Sequence, residues 1–129
     1  MIKTSFINVD LELSSVESLA SLAEELYGKI FVLQNGFVGA EYQLAFECLI
    51  DEAEASSVFE VFLTLIESLS SDSKDKISRC SSRVLDIGYE SGEDGIVTNL
   101  LSGALLAQVA GYGFGINITV YPIDKTGIE

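Results

Sequence analysis

The chain has 129 residues, of which 20 are acidic and seven basic, and with no histidine its formal net charge is −13 at pH 7. This length suits a single domain that buries a core without disulfide or metal staples. No apolar run approaches the roughly 18 to 20 residues of a membrane span, and the first residues lack the apolar stretch of a secretory signal. We therefore predict one cytoplasmic domain over 1–129, with a loose tail at 123–129.

The acidic residues are concentrated in one part of the chain, because no lysine or arginine occurs between Lys29 and Lys74. Such a surface repels nucleic acid and anionic membranes, and it speeds the encounter with a basic protein. We therefore expect no nucleic acid and no membrane as a partner. The charge also agrees with a simple role in solubility.

The two cysteines, Cys48 and Cys80, are too sparse for a disulfide framework and lack the close spacing of a zinc site. We predict that both are buried thiols in a reducing compartment.

The chain begins with the patterns of a strand and a helix. Apolar residues alternate with polar ones over 7–13, which predicts a half-buried strand. Ser14 stands three residues before Glu17, the spacing of a capping box, and Gly28 is a helix-ending residue. We therefore predict a helix over 14–28. Its expected apolar face consists of Val16, Leu19, Ala20, Ala23, Leu26 and Tyr27.

A hairpin and a second helix follow. The pair Asn35-Gly36 is a strong turn signal between the predicted strands 29–33 and 41–48. Ser57 and Glu60 repeat the capping-box spacing before a helix that reaches residue 69. The aromatic residues at core-like positions are Phe31, Phe37, Phe46, Phe59, Phe62 and Tyr89.

The last third predicts a strand, a helix and a strand. A short helical turn reaches Ile77, and alternation over 84–89 predicts the fourth strand. Ser102 is a plausible cap for a helix that ends at Gly111, and the final strand stops before Pro122. One basic island lies in this region, made of Lys74, Lys76, Arg79 and Arg83.

This order of elements predicts an α+β fold of the ferredoxin-like, split βαβ kind. One-sided strands with amphipathic helices favour a mixed or antiparallel sheet that has helices packed on one face and water on the other. The open face is then polar and negative. Its members are Asn8, Asp10, Glu12, Glu41, Gln43, Glu47, Asp86, Asn117 and Thr119.

The sequence offers little for catalysis or metal binding. Without histidine the chain lacks the commonest general base and metal ligand. Two carboxylate clusters, at 51–54 and 90–94, fall in predicted turns and lack the ligand spacing of a calcium loop. The glycine-rich stretch 111–115 follows a helix instead of opening one, unlike a phosphate loop. We therefore predict no catalytic site, no metal and no cofactor.

Part of the chain is similar to a bacterial domain family of unknown function. The similarity covers 46–121 and rests on the apolar helix 58–69, the strand 83–88, the segment 101–106 and the ending 116–122. In size and charge the chain also resembles the immunity proteins of bacterial toxin systems. That resemblance implies an acidic cytoplasmic antitoxin that blocks a cognate toxin domain, often a basic nuclease, and it implies no active-site residues.

We therefore hypothesise a toxin-binding immunity protein and keep two alternatives. One is a structural or regulatory module that forms a homo-oligomer through a sheet edge or the open sheet face. The other is an enzyme or small-ligand binder that uses carboxylates alone. The predicted partner-binding residues are Glu41, Glu47, Asp51, Glu52, Glu54 and Glu60.

Overall fold

The computed structural model describes residues 2–49 and 54–122. The predicted tail at 123–129 and the acidic residues Asp51 and Glu52 lie outside this part of the chain. The elements of the described part are β1 (Ser5–Ser15), α1 (Ala20–Glu25), β2 (Ile30–Val38), β3 (Glu41–Cys48), α2 (Ala55–Glu67), α3 (Ser71–Ser78), β4 (Ser82–Glu90), α4 (Gly103–Gly111) and β5 (Gly115–Tyr121).

The strands form one mixed sheet in the order β2-β3-β1-β4-β5. Strand β1 lies in the middle and pairs antiparallel with β3 and β4, and β2 pairs antiparallel with β3. The pair β4–β5 is parallel, which requires a crossover, and α4 lies within that connection. The prediction of an α+β, ferredoxin-like fold is confirmed, and β5 adds an edge strand to it.

The helices pack on one face of this sheet. Alternate residues of the central strands are buried, and they meet apolar residues of all the helices in a single core cluster. The rings of Phe46 on β3 and Phe62 on α2 make an edge contact, with their centroids 5.8 Å apart. Because side chains alternate across a strand, the residues between the buried ones point to the other face.

A bulge in β1 changes which residues of this strand face the core. The register of β1 against β4 shifts between Phe6 and Asn8. Ile7 is therefore 46% exposed instead of buried, and Phe6 packs against the core in its place. An inserted residue in one strand exchanges the faces on which the residues before and after it lie.

The two predicted capping boxes are wrong. Strand β1 continues through Ser15, so α1 begins only at Ala20, and no side chain caps it. Glu17 forms an ion pair with Arg79 instead. The second helix begins at Ala55, which places Ser57 inside its first turn.

Four large side chains that were predicted to lie in the core are exposed. Val16 and Tyr27 are 75% and 88% exposed, because α1 is too short to bring either onto its buried face. The predicted turn at Asn35-Gly36 is also wrong, because β2 runs through it and the chain reverses at Gly39, whose φ is +65°. Phe31 and Phe37 therefore lie on an edge strand, and each is 57% exposed.

Most of the other local predictions are confirmed. The Ser102 hydroxyl accepts a hydrogen bond from the backbone N–H of Leu105 at 3.1 Å and caps α4. The short helix α3 includes Ile77, which is buried. Cys80 is buried as predicted, whereas Cys48 is only half-buried and that part of the prediction is wrong.

Candidate partner-binding face

Four carboxylates lie near one another on the open face of the sheet, on three neighbouring strands. Asp10 and Glu12 belong to β1, where they alternate with buried leucine and valine residues. Glu47 lies on β3 and Asp86 on β4, on either side of β1. We call these four residues the acidic face.

Hydrogen bonds connect the acidic face to polar neighbours. The side-chain amide of Asn8 donates to Glu47, and it lies 3.5 Å from the nearer carboxylate oxygen of Asp10. The Thr119 hydroxyl on β5 donates to Asp86 at 2.9 Å. These donors fix the orientation of the carboxylates but bring no positive charge.

The carboxylates perturb one another. Partial burial and then the charges of Glu47, Glu12 and Asp86 raise the pKa of Asp10 from 3.8 to about 6. Burial and then the charge of Asp86 also raise the pKa of Glu12. Both shifts have the sign expected for a carboxylate that is partly buried and has other negative groups around it.

The basic island is used elsewhere. Lys74 pairs with Glu67 and Lys76 with Asp72, and the guanidinium of Arg83 donates to main-chain carbonyls at the end of α3 and at Gly113. Within 2–49 and 54–122, no ion pair involves the acidic face. Its charge is therefore left for a partner or for solvent.

The structure divides the predicted partner-binding residues between two surfaces. Glu41 and Glu47 lie on the open side of β3, where the Glu41 carboxylate accepts a hydrogen bond from Ser81 at 2.8 Å. Glu54 and Glu60 are exposed at α2, in the helical layer on the other side of the sheet. One flat partner cannot cover both surfaces at once.

The open face as a whole was predicted from alternation, but Asp10, Glu12 and Asp86 were left out of the predicted binding set. That set followed the density of acidic residues along the chain. The useful signal was the period of two, which places Asp10 and Glu12 on one face of a strand. Only the strand order shows that Glu47 and Asp86 flank them.

The described residues contain no group of three or more acidic or cysteine side chains placed to hold a metal ion. None of the helices in 2–49 and 54–122 is long and apolar enough to cross a membrane.

The chain matches no protein-family model, no curated protein and no solved structure.

Proposed function

We propose that this chain is a toxin-neutralising immunity protein that binds the basic cleft of a cognate toxin domain through its acidic face. The observation that carries the proposal is the charge of Asp10, Glu12, Glu47 and Asp86, which no ion pair compensates within 2–49 and 54–122, on a sheet face that no described helix covers. The resemblance in size and charge to immunity proteins agrees with it.

The arrangement suits a broad cationic surface. Neighbouring strands lie about 4.8 Å apart, so the carboxylates form a row across three strands that several lysine or arginine side chains can contact together. Complementary charge speeds the encounter and selects the partner, while buried anchors set the lifetime of a complex. A toxin whose cleft binds an anionic substrate would lose access to that substrate.

The stability cost of the acidic face also supports a binding role. Partial burial, and after it the like charges of neighbouring carboxylates, destabilise the ionised form of Asp10 in the folded chain, as its raised pKa indicates. Groups with strongly perturbed pKa values concentrate at functional sites. The positive charge of a basic partner would offset this electrostatic cost, which would further stabilise the complex.

The experiment begins with capture of partners from extracts of the source cell at low salt. The captured protein is then purified and titrated with the chain and with two variants that each lose four negative charges. The first is Asp10→Asn/Glu12→Gln/Glu47→Gln/Asp86→Asn, which neutralises the acidic face. The matched control neutralises exposed carboxylates of the helical layer, namely Glu24, Glu54, Glu60 and Asp75.

We expect a basic toxin domain whose activity is blocked by the wild-type chain and by the control, and far less by the first variant. Equal inhibition by both variants and wild type would remove the acidic face from the interface. Selective loss in the control would instead place the partner on α2, where Glu54 and Glu60 are predicted to take part. Capture of a partner without toxic activity would overturn the immunity role itself.

A further inference from the structure

Strand β2 is an edge of the sheet with apolar side chains exposed on both faces. Among the described strands it pairs with β3 alone and stands at the end of the strand order. Phe31 lies opposite Glu47 on the open side, whereas Phe37 lies opposite buried Tyr42 on the helical side, with ring centroids 5.0 Å apart. The large exposed side chains are Phe31, Val32, Leu33, Phe37 and Val38, with exposed fractions between 42% and 57%.

This edge lacks most of the usual protection against pairing. Edge strands of monomeric proteins commonly carry charged residues or proline, are short, or are twisted away by a bulge. Residues 30–40 contain neither a charge nor a proline in a chain of net charge −13, and β2 is nine residues long. A bulge at Leu33 interrupts its register with β3, which leaves 34–38 as the regular part.

An apolar groove continues the edge on the helical side. It lies between α1 and β2, and its lining is mostly apolar, with Ala23, Tyr27, Ile30 and Val32, but it also includes the charged residue Glu24. The Tyr27 side chain at its border is 88% exposed. The unprotected surface therefore extends beyond the strand itself.

We propose that β2 pairs antiparallel with β2 of a second copy of this chain and joins two sheets into one. Two copies repel each other through their net charge, so contact is least costly where neither carries a charge, and 30–40 is such a segment. A strand paired with itself across a two-fold axis forms a closed dimer. That axis stands perpendicular to the sheet, so both acidic faces lie on the same side and stay open.

The exposed apolar area approaches the lower limit for a specific dimer. A fully buried aromatic side chain removes about 150 to 250 Å² of surface from water. The exposed parts of Phe31, Phe37 and Tyr27 therefore offer on the order of 400 Å² of surface in each copy. Two copies would bury on the order of 800 Å² from these residues alone. Val32, Leu33 and Val38 raise the total toward the roughly 1,200 Å² at which specific interfaces begin.

The opposite edge provides a matched control. Strand β5 also exposes apolar side chains, with Ile118 at 66% and Val120 at 59%. It is shorter than β2 and is followed by Pro122, which cannot donate a hydrogen bond to a ladder.

The test is the mass of the full chain in solution, measured by light scattering and sedimentation over a wide range of concentration. The edge variant is Phe31→Lys/Val38→Lys. Its lysines would lie opposite Glu47 and Glu41 of the same copy, and these opposite-charge pairs would keep the variant folded. The control, Ile118→Lys/Val120→Lys, adds the same charge at β5. Thermal unfolding of both variants confirms that they are folded.

We expect the wild type and the control to have the mass of two chains and the edge variant that of one. Added salt should strengthen the dimer, because it screens the repulsion between two acidic copies, whereas salt slows the binding of a basic partner. A wild-type chain that stays monomeric would overturn the proposal and leave the edge to a strand of another protein. A dimer lost only in the β5 control would overturn it too.

Discussion

Asp10 on β1 and Asp86 on β4 lie opposite each other in an antiparallel pair, on the face of the sheet that no described helix covers. Like charges at such paired positions destabilise a sheet. The hydroxyl of Thr119 donates to Asp86 at 2.9 Å, and no lysine or arginine among 2–49 and 54–122 forms an ion pair with either carboxylate. The centre of the sheet therefore holds a repulsion that a partner could relieve.

Replacing Asp10 by asparagine should stabilise the chain at alkaline pH. The folded chain holds the Asp10 proton more tightly than the unfolded chain, since its pKa rises from 3.8 to about 6 on folding. The free energy of unfolding therefore decreases as the pH rises through this window. After allowance for solvent screening, Asp10→Asn should gain about 1 to 2 kcal/mol at about pH 8 and almost nothing at about pH 3.5.

Urea unfolding at the two pH values measures this difference. Glu24→Gln removes an exposed carboxylate of α1 and serves as the control, with little effect expected at either pH. An Asp10→Asn variant that is equally stable or less stable than wild type at alkaline pH would contradict the described repulsion.

Association with the proposed basic partner should depend strongly on salt. Salt shortens the distance over which the negative charge of the acidic face attracts a basic partner. The association rate constant should therefore fall by roughly tenfold or more between low and physiological ionic strength. The dissociation rate constant should change much less, because short-range contacts set it. Stopped-flow or surface-based kinetics at several salt concentrations measure both constants, and a salt-independent association rate would exclude electrostatic steering.

Replacing Ser102, which caps α4, should lower the free energy of unfolding more than replacing Ser57, which has the spacing of a cap but does not act as one. Ser102 accepts a hydrogen bond from the N–H of Leu105, whereas Ser57 lies inside the first turn of α2. Ser102→Ala should lower the free energy of unfolding by about 1 kcal/mol, and Ser57→Ala should change it by less than about 0.5 kcal/mol. Chemical denaturation of both variants decides between them, and the reverse order would refute this assignment of the caps.

Arg83 should be a strong stability determinant although it is only half-buried. Its guanidinium donates to the carbonyl oxygens of Ile77, Ser78 and Cys80, each at 3.0 Å, and to that of Gly113 at 3.2 Å. Arg83→Met should cost about 2 kcal/mol, because it removes charge-assisted hydrogen bonds at the end of α3.

Arg83→Lys should recover only part of that loss. One ammonium group cannot reproduce the planar fork that reaches both the end of α3 and Gly113, in the turn before β5. Urea denaturation measures the three chains, and a lysine variant as stable as wild type would show that positive charge alone suffices.

The sequence predicted most of the regular structure wherever one local pattern decided it. Alternation in β1 identified the polar side with Asp10 and Glu12, because side chains along a strand point to opposite faces. Ser102 was recognised as a cap because its hydrogen bond joins residues three apart in the chain. Such signals need no knowledge of the rest of the molecule.

The failures lie where distant residues compete with a local signal. Ser14 and Glu17 have capping-box spacing, but Ser14 pairs with Gln43 on β3 and with Ser82 on β4. Strand pairing on both sides satisfies backbone groups that a helix start would leave open, so β1 continues. Asn35-Gly36 stays within β2 because its ladder with β3 continues through both residues, which pair with Leu44 and Gln43.

The sequence by itself determined the charge, the class of fold and which residues of each strand are polar, because these depend on composition and on local periodicity. Only the tertiary structure decided which carboxylates are neighbours. The strand order places Glu47 and Asp86 beside Asp10, although they are distant along the chain. It also leaves β2 at an edge with Phe31 and Phe37 exposed, since the position of a strand in a sheet is set by long-range pairing.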